Sequence, residues 1–325
     1  MPETIVGVGD LTVDIMLPQV DRFPEWGQET IISEPWRKLG GNIGNMAIGI
    51  AALKGKFIFH CMIGEDEEGR FIRKQIVKNN LLSDGLIIQK EDGGGTSQTY
   101  ACIRKDGERL FLTYPGVLEL MEVLIMNYPL PPGKIVFLSG WCLPPRVRKS
   151  IIIEKIKSWQ HEGRWVAVDL IWSDESWRLK NDVIEVIRCC NAIFMNEDEL
   201  LAITGEGNVV EGVNLLKKFM VSEGKGQSDP LIIIKQGKRG AVAFSNEDLQ
   251  SVTALPVETE STVGAGDLFN AAFLHALWNK GYPVLKCLQF ACTFAGLSID
   301  KSSPGLPGER EVEQFLKATS SNETA

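Results

Sequence analysis

The segment Ser261-Thr262-Val263-Gly264-Ala265-Gly266-Asp267 separates a β-prone run at 249–257 from a helix-periodic run at 268–278, so it should form a strand-to-helix turn. Such a turn can hold an anion. Gly264 and Gly266 let consecutive backbone N–H groups converge, and a helix beginning near Asp267 adds the positive end of its dipole. Asp267 stands where a phosphate would lie, and its carboxylate has two readings. One is a helix cap, a role that Asp fills well. The other is a base directed at a hydroxyl beside a bound phosphate.

Three other groups carry polar chemistry at element ends. Gly40-Gly41-Asn42-Ile43-Gly44-Asn45 is a glycine-rich turn into a helix over 42–53, whose small residues allow close packing on a sheet. Asn45 falls in the first turn of that helix, where Asn is a poor choice unless its amide has a partner. That partner is either local backbone or a polyhydroxylated ligand. Asp14, a carboxylate in an otherwise apolar run, supports the ligand, because carboxylates and amides are what sugar hydroxyls need. Asn196-Glu197-Asp198-Glu199 reads as a capping box, or as two side chains near a hydrated Mg²⁺ carrying nucleotide phosphates, with Glu199 acting through water. Lys235-Gln236-Gly237-Lys238-Arg239-Gly240 reads as a solvated hairpin turn or as a flexible cationic turn for a nucleotide. By contrast, Val6-Gly7-Val8-Gly9-Asp10 is not a dinucleotide fingerprint, since Thr12 stands where the third glycine belongs and no helix pattern follows.

The elements that must position these groups are readable from periodicity. Apolar runs of strand length at 135–139, 165–170, 192–195 and 231–235 alternate with helix-length segments at 146–161, 179–188, 197–204 and 209–222, the form of a mostly parallel α/β sheet. Residues 4–8 read as a central strand, and the helices at 267–279 and 283–301 are apolar enough to be largely buried. Two stretches, 11–36 and 96–113, alternate polar and apolar residues, and Asp106-Gly107 after residues 99–104 signals a hairpin. They are expected to form a β lid over a cleft. The division that follows is a main α/β domain (1–10, 37–95 and 114–318), the lid (11–36 and 96–113) and a flexible polar tail (319–325).

Composition narrows the function classes. At 325 residues, 44% hydrophobic and 23% charged, the chain is an ordinary globular protein, and its net charge of −8 argues against a nucleic-acid or anionic-membrane partner. The seven cysteines lack C-x-x-C spacing and fit reduced thiols. No basic leader precedes an apolar segment, and no apolar run approaches ~18 residues, so a cytoplasmic protein is expected. His60, His161 and His275 are scattered singly and suggest no metal cluster.

Taken in order, these motifs resemble the ribokinase-like (PfkB) carbohydrate kinases. The amino-terminal signature of that family is matched by Gly40 to Asn45, continuing to Gly64-Glu65-Asp66-Glu67-Glu68-Gly69, its N-x-x-E motif by Asn196 to Glu199, and its carboxy-terminal signature by Thr262 to Asp267. The resemblance implies a three-layer Rossmann-like α/β fold with a mostly parallel central sheet and a small β-sheet lid. It implies ATP-dependent transfer of the γ-phosphoryl group to a primary hydroxyl of a sugar or sugar-like substrate. A nucleoside kinase, or a non-catalytic sugar or nucleotide sensor on the same scaffold, is the alternative. By resemblance Asp267 is the general base, with the amides of Gly264, Ala265 and Gly266 as anion hole. Asp14, Gly41, Asn42, Asn45 and Asp169 then hold the acceptor, while Asn196, Glu199, Lys235, Gly237, Gly240 and Thr262 lie at ATP and Mg²⁺.

Three positions depart from the family pattern. Ser261 stands where members that use a monovalent cation carry Asp, so potassium is not implied. Asp169-Leu170-Ile171-Trp172-Ser173 replaces the Asp-x-Asn-x-Arg of many fructokinase-like and ketodeoxygluconate-kinase-like members, and Asn42 replaces the basic residue of ribokinase-like glycine turns. Trp36, Trp141 and Trp172 are candidates for stacking on an acceptor ring. A homodimer pairing through the lid is also expected.

Overall fold

The computed structural model describes residues 2–90, 94–105, 109–143, 147–220, 230–245, 248–259, 261–303 and 305–322. Strand β1 (Thr4–Val8) leads without a helix into β2 (Thr12–Met16), and β3 (Trp36–Gly40) feeds α1 (Gly41–Ala52). Next come β4 (Lys56–Gly64), α2 (Glu67–Lys78), β5 (Leu86–Gln89), β6 (Gln98–Ile103), β7 (Arg109–Tyr114) and α3 (Met121–Asn127). Strands and helices then alternate through β8 (Ile135–Leu138), α4 (Lys149–His161), β9 (Trp165–Asp169), α5 (Asp174–Arg178), α6 (Lys180–Ile187), β10 (Ala192–Asn196), α7 (Glu197–Thr204), α8 (Val209–Met220) and β11 (Leu231–Lys235). Strands β12 (Ala241–Ser245) and β13 (Asp248–Val252) precede α9 (Ala265–Trp278), α10 (Val284–Ile299) and α11 (Glu309–Asn322).

These strands build a nine-stranded sheet, ordered β13-β12-β11-β10-β9-β8-β1-β4-β5, and a four-stranded sheet, ordered β3-β2-β6-β7. From β11 to β5 every neighbouring pair of the large sheet is parallel; β12 and β13 join antiparallel. Side-chain alternation assigns its two faces. Ile5, Phe137, Ala167, Phe194 and Ile233 pack under α1, α9 and α10, while Val6, Val136, Val168, Ile193 and Ile234 pack under α4, α6, α7 and α8. Both faces are therefore covered over the central strands, which are largely apolar, as the sequence suggested, whereas the edge strand β13 is polar and mostly exposed.

Because β1 pairs with β4 on one side and β8 on the other, the crossovers reverse direction at β1/β8. Ligands of open α/β sheets bind at the carboxyl ends of strands at such a point. The small sheet stands at that end. Met16, Ala101 and Ile103 on its inner face touch Val263 of the glycine turn.

Several expectations need adjustment. The small sheet includes residues 37–40, placed above in the main domain, and among the described residues 17–35 hold no strand. Asp106-Gly107 lies outside the described residues, although β6 and β7 do pair antiparallel. The helix expected over 179–188 is present as α6, and a short helix not expected, α5, precedes it, the two meeting at Leu179 (φ −114°, ψ 33°). The polar tail is helical to Asn322, with Thr319 returning its hydroxyl to the Phe315 carbonyl. Polar composition did not exclude a helix there, because α11 is anchored upstream by the buried Val312.

Candidate functional site

Strand ends supply most of the site. Asp10 follows β1, Asp14 lies on β2, Ser139 follows β8, Asp169 ends β9, Asn196 ends β10 and Lys235 ends β11. Across from them, the N-termini of α1 and α9 bring Asn42, Asn45 and Asp267.

The partners of Asp267 exclude the first of its two readings, the helix cap. Gly264, in the left-handed region at φ +86°, is the N-cap of α9 and makes no side-chain cap bond. Asp267 is the third residue of the helix, and its Oδ2 accepts a hydrogen bond from Asn45 Nδ2 at 2.9 Å. The carboxylate therefore faces α1 rather than capping its own helix. A Cβ on Gly264 would stand 3.3 Å from the Asn45 carboxamide, so the bare glycine leaves room for that contact. The Asn45 amide thus donates to the carboxylate of a distant helix, a partner that its local sequence does not show.

A second cluster centres on Asp169, which is 1% exposed. Its Oδ1 accepts from Lys235 Nζ at 2.9 Å, and its Oδ2 accepts from Asn270 Nδ2 at 3.0 Å and Asn42 Nδ2 at 3.5 Å. Asn42 also donates to Ser139 Oγ at 3.0 Å, and its backbone N–H donates to Asp10 Oδ2 at 2.8 Å. Lys235 has a further neighbour. Its Nζ would lie 3.6 Å from a Cβ on Gly266, so the ammonium sits over the first turn of α9, where backbone N–H groups lack intrahelical acceptors.

Asp14 accepts from Thr12 Oγ1 at 2.7 Å and from the Gly41 amide, with Lys38 Nζ at 3.9 Å. Gly41 has φ +74°, and a Cβ there would meet the Asp10 carbonyl oxygen at 2.5 Å, so glycine is required on both counts.

Burial sets the electrostatics. It pushes the Asp10 carboxyl up to about 7, helped by the nearby charges of Asp169 and Asp14. Asp267 is pushed well above the usual carboxylate range, first by burial and then by Asp169. Glu199 reaches about 7, again through burial, with Lys235 opposing. For Lys235, burial works against the charge, yet Asp169 and Glu199 outweigh it and hold the ammonium above the ordinary lysine value. The 2.9 Å contact keeps Asp169 and Lys235 as an ion pair.

Other expected residues fall differently. Asn196 and Glu199 form the reciprocal capping box of α7, with Glu199 N donating to Asn196 Oδ1 at 2.8 Å and Asn196 N donating to Glu199 Oε2 at 2.7 Å. The turn after Lys235 is the hairpin between β11 and β12, tied to α7 by Gln236 and Arg239 contacts to Glu197. Gly240 (φ +105°) is there because a Cβ would collide with the Val252 carbonyl, whereas Gly237 faces open space. Thr262 is exposed, and its carbonyl accepts from Ala265 N at 3.2 Å, so the Ala265 amide closes the turn instead of pointing at an anion. Trp141 is buried in the core and cannot stack on a ligand; Trp172 packs edge-on against Trp177; Trp36, 52% exposed, lines a cavity of about 500 Å³ beside Asn45, Lys38 and Gly264.

Asp10, Ser139 and Asn270 were not anticipated. Asn270 had a signal, a polar residue three positions after Asp267 in an otherwise apolar helix, which puts both on one face. Asp10 was masked by its place in a glycine motif that failed as a dinucleotide site. Ser139 had none.

Polyphosphate fits this arrangement: an open helix N-terminus, a buried ammonium over it, and glycine wherever a Cβ would fill the space. For a divalent cation the fit is looser. Among the described residues no group of three Asp, Glu, His or Cys side chains could hold a metal directly.

Comparison with known proteins agrees with the fold. The chain is 25% identical over 333 residues to a 5-dehydro-2-deoxygluconokinase of Geobacillus thermodenitrificans, covering 97% of this chain and 94% of that protein. It is 25% identical over 311 residues to a fructokinase of Vibrio alginolyticus, covering 91% and 96%. Arabidopsis thaliana ribokinase complexed with ribose and ATP superposes with a TM-score of 0.76 at 24% identity over 98% and 99% of the two chains. Vibrio cholerae fructokinase, solved with fructose, ADP and calcium, gives 0.75 at 21% identity over 97% and 99%. Residues 3–310 match the family described as pfkB family carbohydrate kinase, and the chain belongs to that family.

Proposed function

We propose that this carbohydrate kinase transfers the γ-phosphoryl group of ATP to a primary hydroxyl of its acceptor, with Asp267 as the base. The observation that carries this is the Asn45–Asp267 hydrogen bond of 2.9 Å, which turns the carboxylate away from capping and holds it beside the glycine turn. Its raised pKa suits proton abstraction near neutrality better than a free aspartate would. The backbone N–H groups of Gly264 and Gly266 and the Lys235 ammonium are placed to stabilise charge that develops on the transferred group. Mg²⁺, held through water at Glu199, would neutralise phosphate charge. Asp14, Gly41, Asn42 and Asn45 orient the acceptor, and the small sheet closes over it.

The relatives' names span a ketose and a sugar acid. A nucleoside acceptor has one observation in its favour, the exposed Trp36 at the cavity wall.

The test is ADP release from ATP and Mg²⁺ against pentoses, hexoses, sugar acids and nucleosides, for wild type and Asp267→Asn. The variant should lose roughly 10²-fold or more in turnover with ATP affinity and unfolding temperature nearly unchanged. Equal turnover in the two proteins would remove Asp267 as base; silence across the panel, in both proteins, would point to the sensor.

A further inference from the structure

One ammonium, that of Lys235, lies among the buried carboxylates of Asp169, Glu199 and Asp267, all of which favour its charge. It pairs closely with one of them. Lys235 Nζ stands 2.9 Å from Asp169 Oδ1, whereas Asp267 has no Lys or Arg ion-pair partner among the described residues and takes the neutral amide of Asn45 on Oδ2. This division matters to the base, because a cation set beside a carboxylate lowers its pKa. Burial first, then the charges of Asp169 and Asp10, hold Asp267 up, while Lys235 and the Asn45 amide act against them.

Asn270 has no part in the transfer described above, yet it is fully buried in α9 among Phe269, Ala271, Ala272 and Phe273. Its Nδ2 donates to Asp169 Oδ2 at 3.0 Å, and its own Oδ1 is buried with no hydrogen-bond partner. An amide with an orphan oxygen is a costly choice in an apolar helix, so what it contributes is the donor. The other amide on that carboxylate oxygen, Asn42 Nδ2, is more distant at 3.5 Å and makes its shorter bond to Ser139 Oγ.

Helical spacing shows what the donor fixes. Asn270 follows Gly266 by four residues and Asp267 by three, so all three lie on one side of α9. Asn270 seats the Asp169 carboxylate one turn in from the helix start, and the bare Gly266 leaves room for the ammonium, 3.6 Å from where a Cβ would stand. The ion pair therefore runs along the helix beside Asp267, with Lys235 kept over the first turn.

We propose that Asn270 is a positioning residue that fixes the Asp169 carboxylate against α9, and so keeps Lys235 paired with Asp169 and off Asp267. The inference rests on the reading of Asp267 as the base. Asn270 acts through Asp169 and Lys235 and moves no proton. Without its donor the Asp169 carboxylate loses its seat, and Lys235 shifts to Asp267, which becomes a weaker base while the first turn of α9 loses its ammonium.

The experiment uses Asn270→Leu, which removes the amide at similar volume, with the acceptor that gives the highest turnover in the panel above. The acid limb of kcat/KM should move down by about one pH unit or more, the effect of a cation newly placed beside the base. At neutral pH kcat should fall about tenfold, with KM for ATP and acceptor within about threefold of wild type. A crystal structure of the variant should show Lys235 Nζ within ion-pair distance of Asp267. An unmoved acid limb, a loss confined to KM, or Lys235 still paired with Asp169 alone overturns the inference and leaves the base reading standing. Equal turnover of Asp267→Asn and wild type sinks the base reading instead, and the position of Lys235 in the Asn270→Leu structure then still decides the pairing. Should Asn270→Leu fail to fold, Asp169→Asn decides: it keeps the shape, removes the charge that competes with Asp267, and must move the acid limb the same way, an unmoved limb again overturning the inference.

Discussion

At the scale of single residues, the site works through a few buried charges whose partners come from elsewhere in the chain. The raised pKa of Asp267 has a directional consequence: the base must be deprotonated, so kcat/KM should fall as pH drops through a value well above that of a free aspartate. A pH–rate profile of the wild type checks this, and an acid limb near pH 4 would show that the burial does not act on the free enzyme. Lys235 offers a sharper test. Removing it as Lys235→Met leaves Asp169 buried without its cation, which should destabilise the fold by about 3–5 kcal/mol. The double variant Asp169→Asn/Lys235→Met should recover most of that loss in chemical unfolding, though not activity, if the ammonium also bears on the phosphoryl group. Of these groups, Asp267 and Lys235 were legible in the sequence because each sits in a motif at an element boundary. Asp10 and Ser139 were not, because a polar residue after a strand has no local pattern to distinguish it from an ordinary loop residue.

At the scale of elements, two devices set the geometry. The capping box of α7 satisfies N-terminal amides and at the same time positions Glu199. Asn196→Ala should cost about 1 kcal/mol of stability, whereas Glu199→Gln can keep accepting from Asn196 N and should fold normally. The Gln variant also isolates a proton linkage. The folded-state pKa of Glu199 is about 7 against 4.5 for an ordinary glutamate, so the native state holds a proton that the unfolded chain releases. Its stabilising contribution is complete below pH 4.5 and disappears as pH rises through 7. At about 1.4 kcal/mol per pH unit between the two values, the difference between wild type and Glu199→Gln should change by at most roughly 3 kcal/mol across that window; parallel stability curves for the two proteins would refute the linkage. The glycine turn is the second device. Gly264→Ala combines a positive φ with a Cβ 3.3 Å from the Asn45 carboxamide, and should cost about 1–3 kcal/mol while displacing the side chain that holds Asp267. Thermal unfolding and turnover should therefore fall together.

At the scale of the molecule, the small sheet has two surfaces with different uses. Its inner face carries Asp14 and reaches Val263, whereas strand β7 exposes Leu110, Phe111 and Leu112 at an outer edge. Unpaired edges bearing apolar side chains invite pairing, and a homodimer through this sheet is the arrangement we propose. Sedimentation at micromolar protein should show a dimer, and Leu112→Lys should shift it toward monomer; a wild-type monomer at that concentration would rule the interface out. The described helices include none long and apolar enough to cross a membrane.

The sequence by itself determined the elements and the chemistry available to them. Period-two and period-3.6 patterns are local properties, so the strands at 4–8, 165–169, 192–196 and 231–235 and the helices at 197–204 and 265–278 could be placed to within a few residues before any contact was known. The glycine turn, the capping box and the identity of Asp267 as cap or base came from the same short-range reasoning. Only the tertiary structure showed that Asp267 turns to Asn45 instead of capping its own helix. Asn45 reaches Asp267 across 222 positions, Asn270 reaches Asp169 across 101, and Lys235 reaches Asp169 across 66. Strand order alone brings these groups together, because the crossovers that place β1, β8, β9 and β11 side by side leave no periodic trace in the sequence, while the burial that raises the carboxyl pKa values exists only once those strands and the helices over them have packed.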